Sequence, residues 1–149
     1  MFKNKDVPML SDWQIYALAS AVFAGLTAVL AKVGVVGLPS NTATLIRTVV
    51  IILFLIGLVV VRREWVNPLT LSKRSLIFLV LSGFATGLSW IFYFRALQIG
   101  PASIVAPIDK LSLPFAVLLS VLFLGERLSL TQWGGAVLMS LGALLMALK

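Results

Sequence analysis

Residues 42–61 read TATLIRTVVIILFLIGLVVV, and this stretch decides the fold. An α-helix needs about 20 predominantly apolar residues to cross the hydrocarbon core of a bilayer. The core holds no water that could satisfy exposed backbone groups, so a segment of this kind has to be helical there. Arg47 is its one charged residue. The stretch therefore predicts a transmembrane helix.

Four more stretches of similar length and composition flank this one, and the breaks between them carry the turn residues Gly, Pro and Asn. Two of the predicted helices begin with a capping-box pattern, Ser11-x-x-Gln14 and Ser129-x-x-Gln132. We predict an all-α integral membrane protein, a five-transmembrane-helix bundle that forms one domain over residues 1–149. The predicted spans are residues 13–36, 42–61, 75–96, 102–124 and 130–148.

The composition excludes several classes of protein. Apolar residues make up 60% of the chain and charged residues 11%, against roughly 45–50% and about 25% in soluble domains. The chain has no cysteine and no histidine, which excludes disulfides, thiolate or imidazole metal sites and catalysis by either residue. Asp109 and Glu126 fall in a helix and a distant loop, so no catalytic pair is expected. We therefore predict no enzyme, no catalytic residue, no cofactor and no metal.

The loop charges predict the orientation. The chain carries twelve Lys and Arg against five Asp and Glu, a net charge of +7. The positive-inside rule places the side with most loop basics in the cytoplasm, so we expect a multi-pass protein of the inner cell membrane with a cytoplasmic N-terminus. The basic residues form no continuous patch, so no nucleic-acid partner is expected. Seven loop basics lie on the N-terminal side: Lys3, Lys5, Arg62, Arg63, Lys73, Arg74 and Arg127.

Five charged residues fall inside the predicted spans, all within about eight residues of the outer helix ends. A charge inside the membrane costs about 2.5–3.5 kcal/mol on insertion scales, so each of them needs water, a partner or a ligand. One interpretation is an outward-facing basic vestibule for an anionic or zwitterionic solute. In the other, Lys32, Arg47 and Arg95 extend to the interface and Asp109 pairs with one of them, or the charges form a network that only holds the helices together. The five residues are Lys32, Arg47, Arg95, Asp109 and Lys110.

Polar side chains share one face of the third and fourth spans. Ser82, Thr86, Ser89 and Tyr93 follow helical spacing in the third, with Trp90 beside them. This pattern is typical of a cavity lining, but also of close helix packing. In the fourth span, two prolines flank the charged pair, and broken helices recur near transporter binding sites. The candidate substrate-binding residues are Lys32, Arg47, Trp90, Tyr93, Arg95, Asp109, Lys110 and Ser112.

Small-residue faces in the first and last spans favour helix packing, since such residues let membrane helices approach closely, although the spacing in the first span also fits a cavity lining. We expect the last span to pack against other helices or a second copy, and not to contact substrate. The residues on these faces are Ser20, Ala24, Thr27 and Ala31 in the first span, and Ala136 and Ser140 in the last.

Residues 93–103, YFRALQIGPAS, resemble the junction of the third and fourth helices in the EamA family of the drug/metabolite transporter superfamily. Residues 124–128, LGERL, continue the resemblance, which covers nearly the whole chain. Further matches are Lys32, residues 45–47, Pro114, Gly134-Gly135-Ala136 and Gly142.

The resemblance implies a five-helix unit, half of an inverted-repeat transporter fold in which two units surround a central substrate path. The chain departs from two-unit members at Asp109-Lys110, where they usually carry uncharged residues. It also lacks the first-helix glutamate that small multidrug exporters of the superfamily use for proton coupling. Proton-coupled cation export is therefore not expected, and a basic vestibule would repel cations.

A single unit is expected to need a partner, because inverted-repeat transporters place their site between two halves. We expect a homodimer in the lipid bilayer, antiparallel or parallel, with a separate partner subunit as a further option. The predicted function is a secondary transporter for a small polar solute, anionic or zwitterionic, that works by alternating access. Two alternatives stay open: a lipid-linked headgroup flippase, to which short superfamily members are similar, and a non-transporting membrane subunit.

Overall fold

A computed structural model describes residues 11–148, and within that range the chain is helical without strands. Five helices are long and apolar enough to cross a membrane, which confirms the all-α, five-helix prediction. Their ends lie within three residues of the predicted spans. Lys3 and Lys5, which entered the orientation prediction, lie outside the described residues. The helices are α1 Asp12–Gly34, α2 Ser40–Arg62, α3 Lys73–Ile99, α4 Ala102–Asp109, α5 Ser112–Leu119 and α6 Leu130–Ala147. The fourth span contains both α4 and α5, and the other four spans are single helices.

The helices begin and end where side chains or backbone conformation replace missing hydrogen bonds. At α6, the Gln132 N–H donates to Ser129 Oγ at 3.3 Å, and Gln132 Oε1 accepts from the Ser129 N–H at 2.7 Å. This is the predicted capping box. The Ser11 N–H donates in the same way to Gln14 Oε1 at 2.8 Å. Gly125 ends the fourth span at φ 69°, in the left-handed region that glycine adopts without strain.

The fourth span is broken in the middle. It consists of α4, a turn at Lys110 and Leu111, α5, and a final π-helical turn, Ser120–Leu124. Pro114 has no N–H to donate to the Lys110 carbonyl, which instead accepts from the Leu113 N–H at 2.9 Å. The Lys110 N–H is itself shared between the carbonyls of Ala106 and Pro107. The break therefore lies directly at the charged pair, Asp109 and Lys110.

Helix α3 lies at the centre of the packing, against α1, α2 and α4, while α6 packs against both α4 and α5. The buried core is small. It is centred on Val35, Ala43 and Phe94, with Leu97 completely buried nearby. On α6 the buried positions are Ala136 and Ala143, as the small-residue pattern predicts for a packing helix.

Most large apolar side chains remain exposed. The accessible surface of the chain is 12601 Å², whereas a compact soluble monomer of 16.1 kDa would expose about 7,400 Å². In a soluble protein this excess of apolar surface would cause aggregation. In a bilayer, lipid chains or a neighbouring subunit cover it.

Candidate functional site

The first four spans surround a small polar cavity of about 190 Å³. It lies towards the end of the bundle where α2 and α4 begin and where α1 and α3 end, here called the vestibule end. Apolar membrane helices offer few polar groups, so a cavity lined by both charge signs marks a candidate solute site. Its lining residues are Ala24, Thr27, Arg47, Ser89, Trp90, Tyr93, Asp109 and Lys110.

Arg47 is held in the cavity by aromatic rings. Its Cζ atom lies 4.2 Å from the centroid of the Trp90 ring and 5.5 Å from that of Phe94. Phe94 is only 3% exposed and belongs to the core, so one side of the guanidinium rests against a fixed surface. Such stacking orients the planar group without using its N–H donors. Among residues 11–148, Arg47 has no hydrogen-bond or ion-pair partner, so its donors remain available to a ligand.

Asp109 and Lys110 form an ion pair on the other side of the cavity. The Lys110 Nζ atom lies 3.2 Å from Asp109 Oδ2, with the side chains 51% and 30% exposed. This is the one ion pair formed within the described part of the chain. Asp109 is therefore not paired with Lys32, Arg47 or Arg95, which had been the alternative to a solute site. With Arg47 included, the cavity carries two positive charges and one negative.

Three of the predicted site residues lie outside this cavity. Lys32 Nζ donates to the carbonyl oxygens of Leu97 and Gly100, at 2.5 and 2.8 Å, at the C-terminal end of α3. Arg95 Nη1 donates to Gln98 Oε1 at 2.6 Å, on an exposed surface. Ser112 is exposed at the first residue of α5. The structure thus gathers Arg47, Trp90, Tyr93, Asp109 and Lys110 around one cavity and gives the other three different surroundings.

Gly100 explains how Lys32 reaches two carbonyls at once. A Cβ atom at Gly100 would lie 3.0 Å from Val105 Cγ2 and 3.2 Å from the Ala96 carbonyl oxygen. The absence of a side chain allows the chain to turn closely from α3 into α4. The carbonyl oxygens of Leu97 and Gly100 both accept from the Lys32 ammonium, a favourable arrangement because a helix C-terminus carries partial negative charge.

Sequence reasoning missed Phe94 as a site residue. It follows Trp90 by four positions in α3, so both rings lie on one helix face and can contact the same guanidinium. Sequence reasoning had also assigned Ala24 and Thr27 to a packing face, whereas both line the cavity. Small side chains at these positions leave room there, a role that spacing alone does not separate from packing.

The polar face of α3 is divided between two cavities. Ser89 and Tyr93 line the Arg47 cavity, whereas Ser82 and Thr86 line an open groove of about 690 Å³ between α2 and α3. The Thr86 hydroxyl donates to the Ser82 carbonyl at 2.9 Å. Thr44 and Thr48, on the α2 side of the groove, donate to their own helix in the same way. These hydroxyls satisfy themselves within their helices, so the groove offers less to a solute than the Arg47 cavity does.

A third depression, of about 350 Å³, lies between α1 and α2. It is mainly apolar, with Leu30 and Ala31 on α1, Ala43 and Ile46 on α2, and Phe94 beneath. Arg47 and Thr27 line both this groove and the polar cavity. The guanidinium therefore lies at the junction of an apolar and a polar space.

These features define a multi-pass membrane protein with a charged cavity between its helices. The chain belongs to the EamA-like transporter family, whose model matches residues 12–148. This confirms the family resemblance inferred from the sequence. The family assignment points to a membrane transporter and not to an enzyme.

Two relatives match nearly their whole length. The chain is 51% identical over 139 residues to an uncharacterized transporter of Sinorhizobium, covering 93% of this chain and 99% of the relative. It is 31% identical over 135 residues to an uncharacterized protein of Methanocaldococcus jannaschii, covering 91% of this chain and 96% of the relative. No solved structure matches the chain.

Proposed function

We propose that this protein is a secondary transporter for a small polar metabolite, anionic or zwitterionic, working by alternating access in the inner cell membrane. The observation that carries the proposal is the Arg47 guanidinium, stacked on Trp90 at 4.2 Å and left without a described polar partner. A guanidinium inside the membrane is costly unless an anion or water satisfies it. A carboxylate or phosphate matches its paired N–H donors in geometry and charge.

The Asp109–Lys110 ion pair extends the range of proposed solutes from anions to zwitterions. Asp109 accepts from Lys110, and both line the same cavity as Arg47. A solute ammonium could replace Lys110 at the Asp109 carboxylate while the solute carboxylate binds Arg47. A simple anion would instead use Arg47 and Lys110 together. A cation would meet two positive charges against one negative, which disfavours it electrostatically.

The proposed transporter acts as a dimer. The Arg47 cavity has a volume of about 190 Å³, below the 300–1,000 Å³ or so typical of small-molecule sites, and a second unit would complete it. The two relatives are matched over 99% and 96% of their own lengths, so they too have the length of one unit. An antiparallel homodimer would rebuild an inverted repeat. The loop charges instead favour one orientation, with the N-terminus in the cytoplasm, and hence a parallel homodimer. The topology of the N-terminus in native membranes therefore decides between the parallel and the antiparallel dimer.

Transport assays on purified protein in proteoliposomes test the proposal. The probes are radiolabelled malate, an anion, glycine betaine, a zwitterion, and ethidium, a cation. We expect uptake of an anionic or zwitterionic probe and none of ethidium. Arg47→Gln should abolish uptake, while Arg62→Gln, at the opposite end of α2, should leave it unchanged. Uptake unaffected by Arg47→Gln, or no probe transported by a well-folded protein, would contradict the proposal.

A further inference from the structure

We propose that the groove between α1 and α2 binds an anionic phospholipid, with its phosphate on Arg47 and one acyl chain along the groove. This goes beyond the transport of a soluble metabolite, because the lipid would enter from the bilayer side and not from the polar cavity. It rests on a separate space, of about 350 Å³, that shares Arg47 and Thr27 with the cavity.

The groove has the chemistry of an acyl-chain site. Its floor includes Phe94 and Ala43, which are 3% and 9% exposed and belong to the fixed core. Its sides include Leu30 and Ile46, which are 60% and 54% exposed and so face the surrounding bilayer. A preformed apolar floor with sides open to lipid suits a flexible hydrocarbon chain.

Arg47 supplies a positive charge for the phosphate of the head group and would repel a head group that carries its own cation. It lies seven residues after the first residue of α2, about 10 Å along the helix axis. Helical side chains tilt towards the helix N-terminus, and α2 begins at the vestibule end, so this tilt favours contact with a lipid phosphate at that membrane surface. Its N–H donors have no described protein partner, and a phosphate accepts such donors in a bidentate way.

A second copy of the chain is a poorer occupant of the groove. The sequence contains five acidic residues: Asp6, Asp12, Glu64, Asp109 and Glu126. Of these, Asp109 alone falls within a span and away from its ends, and it is already paired with Lys110. A helix of a second copy therefore brings no free carboxylate to Arg47 at membrane depth, whereas every anionic phospholipid brings a phosphate.

Native mass spectrometry of the full chain tests this inference, with equal amounts of phosphatidylglycerol and phosphatidylcholine added in detergent. We expect phosphatidylglycerol to be retained preferentially, because the choline cation of phosphatidylcholine would be repelled by Arg47. Arg47→Gln should lower the amount of bound phosphatidylglycerol by about tenfold, the effect of one charge-assisted contact. Equal retention of the two lipids by the wild type, or unchanged phosphatidylglycerol binding in the variant, would overturn the proposal.

Two glycine variants test the groove itself. A Cβ atom at Gly34, which lines the groove, meets nothing within 4 Å, so the position has room for the start of a side chain and Gly34→Leu adds bulk to the groove. Gly25 lies on the same helix, is equally unobstructed and lines none of the three spaces described. We expect Gly34→Leu to reduce bound phosphatidylglycerol about tenfold and Gly25→Leu to leave it unchanged. If both variants bound equal amounts of phosphatidylglycerol, the groove would be excluded as the binding site of the acyl chain.

The lipid assay stands apart from the transport assay. If Gly34→Leu lost bound lipid while the wild type transported no probe, the lipid site would be supported and the proposed transport function contradicted. If the wild type transported a soluble probe but retained no phosphatidylglycerol, the transport function would be supported and the lipid site contradicted. If the protein were dimeric and its dimer retained no phosphatidylglycerol, this inference would be overturned and a second copy would be indicated as the occupant of the groove.

Discussion

The ammonium of Lys32 donates a 2.8 Å hydrogen bond to the carbonyl oxygen of Gly100, across 68 positions of sequence. Together with its bond to Leu97, this ties α1 to the turn that joins α3 and α4. Lys32 is thus engaged with backbone groups, and we interpret it as a structural residue of the vestibule end.

Lys32→Met is expected to lower stability, because two helix-end carbonyls lose a charged donor while the apolar stem is kept. Hydrogen bonds to charged groups contribute about 1.5–3 kcal/mol each, so a clear decrease in melting temperature in detergent should result. Lys73→Met, at the exposed first residue of α3, is the matched control and should change little. If the two variants melted alike, the Lys32 contacts would not be stabilising.

Trp90→Ala should weaken solute binding while leaving the charges of the cavity in place. Cation–π contacts contribute about 0.5–2 kcal/mol, so the KM of a transported probe is expected to rise between about twofold and thirtyfold. Trp133→Ala, which removes an indole from α6 outside the cavity, should leave KM unchanged. An unaltered KM in Trp90→Ala would mean that the stacked ring does not orient Arg47 for binding.

Asp109→Asn should change selectivity between solutes. The substitution removes the negative charge of the cavity and releases Lys110 from its ion pair. We expect the affinity for glycine betaine to decrease and that for malate to be kept or increased, as measured by equilibrium binding of each probe. Lys110→Met is the complementary change and should weaken malate binding most. Parallel losses for both probes in Asp109→Asn would indicate a purely structural role for the ion pair.

Pro114→Ala should stabilise the chain and impair transport. Alanine would provide the N–H that the Lys110 carbonyl lacks from position 114, favouring a continuous helix in place of the break. The melting temperature is expected to rise. The uptake rate is expected to fall, because Asp109 and Lys110 would no longer line the cavity. Pro101→Ala, at the residue before α4, controls for loss of a proline next to the same span. Normal uptake by a stabilised Pro114→Ala would show that the break is dispensable.

The spans could be predicted from sequence because their physics is local. Twenty apolar residues between turn residues allow little except a membrane helix, and the Ser129–Gln132 capping box needs only residues three apart. The site was harder to predict. Arg47 and Trp90 meet because α2 packs against α3, which hydropathy does not specify. The contacts of Lys32 could not be predicted for a related reason, since its partners are backbone carbonyls that every residue carries.

Helix α6 constrains how the fourth span can move. It packs as one continuous helix against α4 and α5, on both sides of the break at Lys110 and Leu111. Its buried positions, Ala136 and Ala143, present only methyl groups, which offer little resistance to sliding. Helix α6 would therefore support the fourth span along one side of this break. If the span bent at the break, α4 and α5 would slide along α6, and Asp109 and Lys110 would lie at the point of bending.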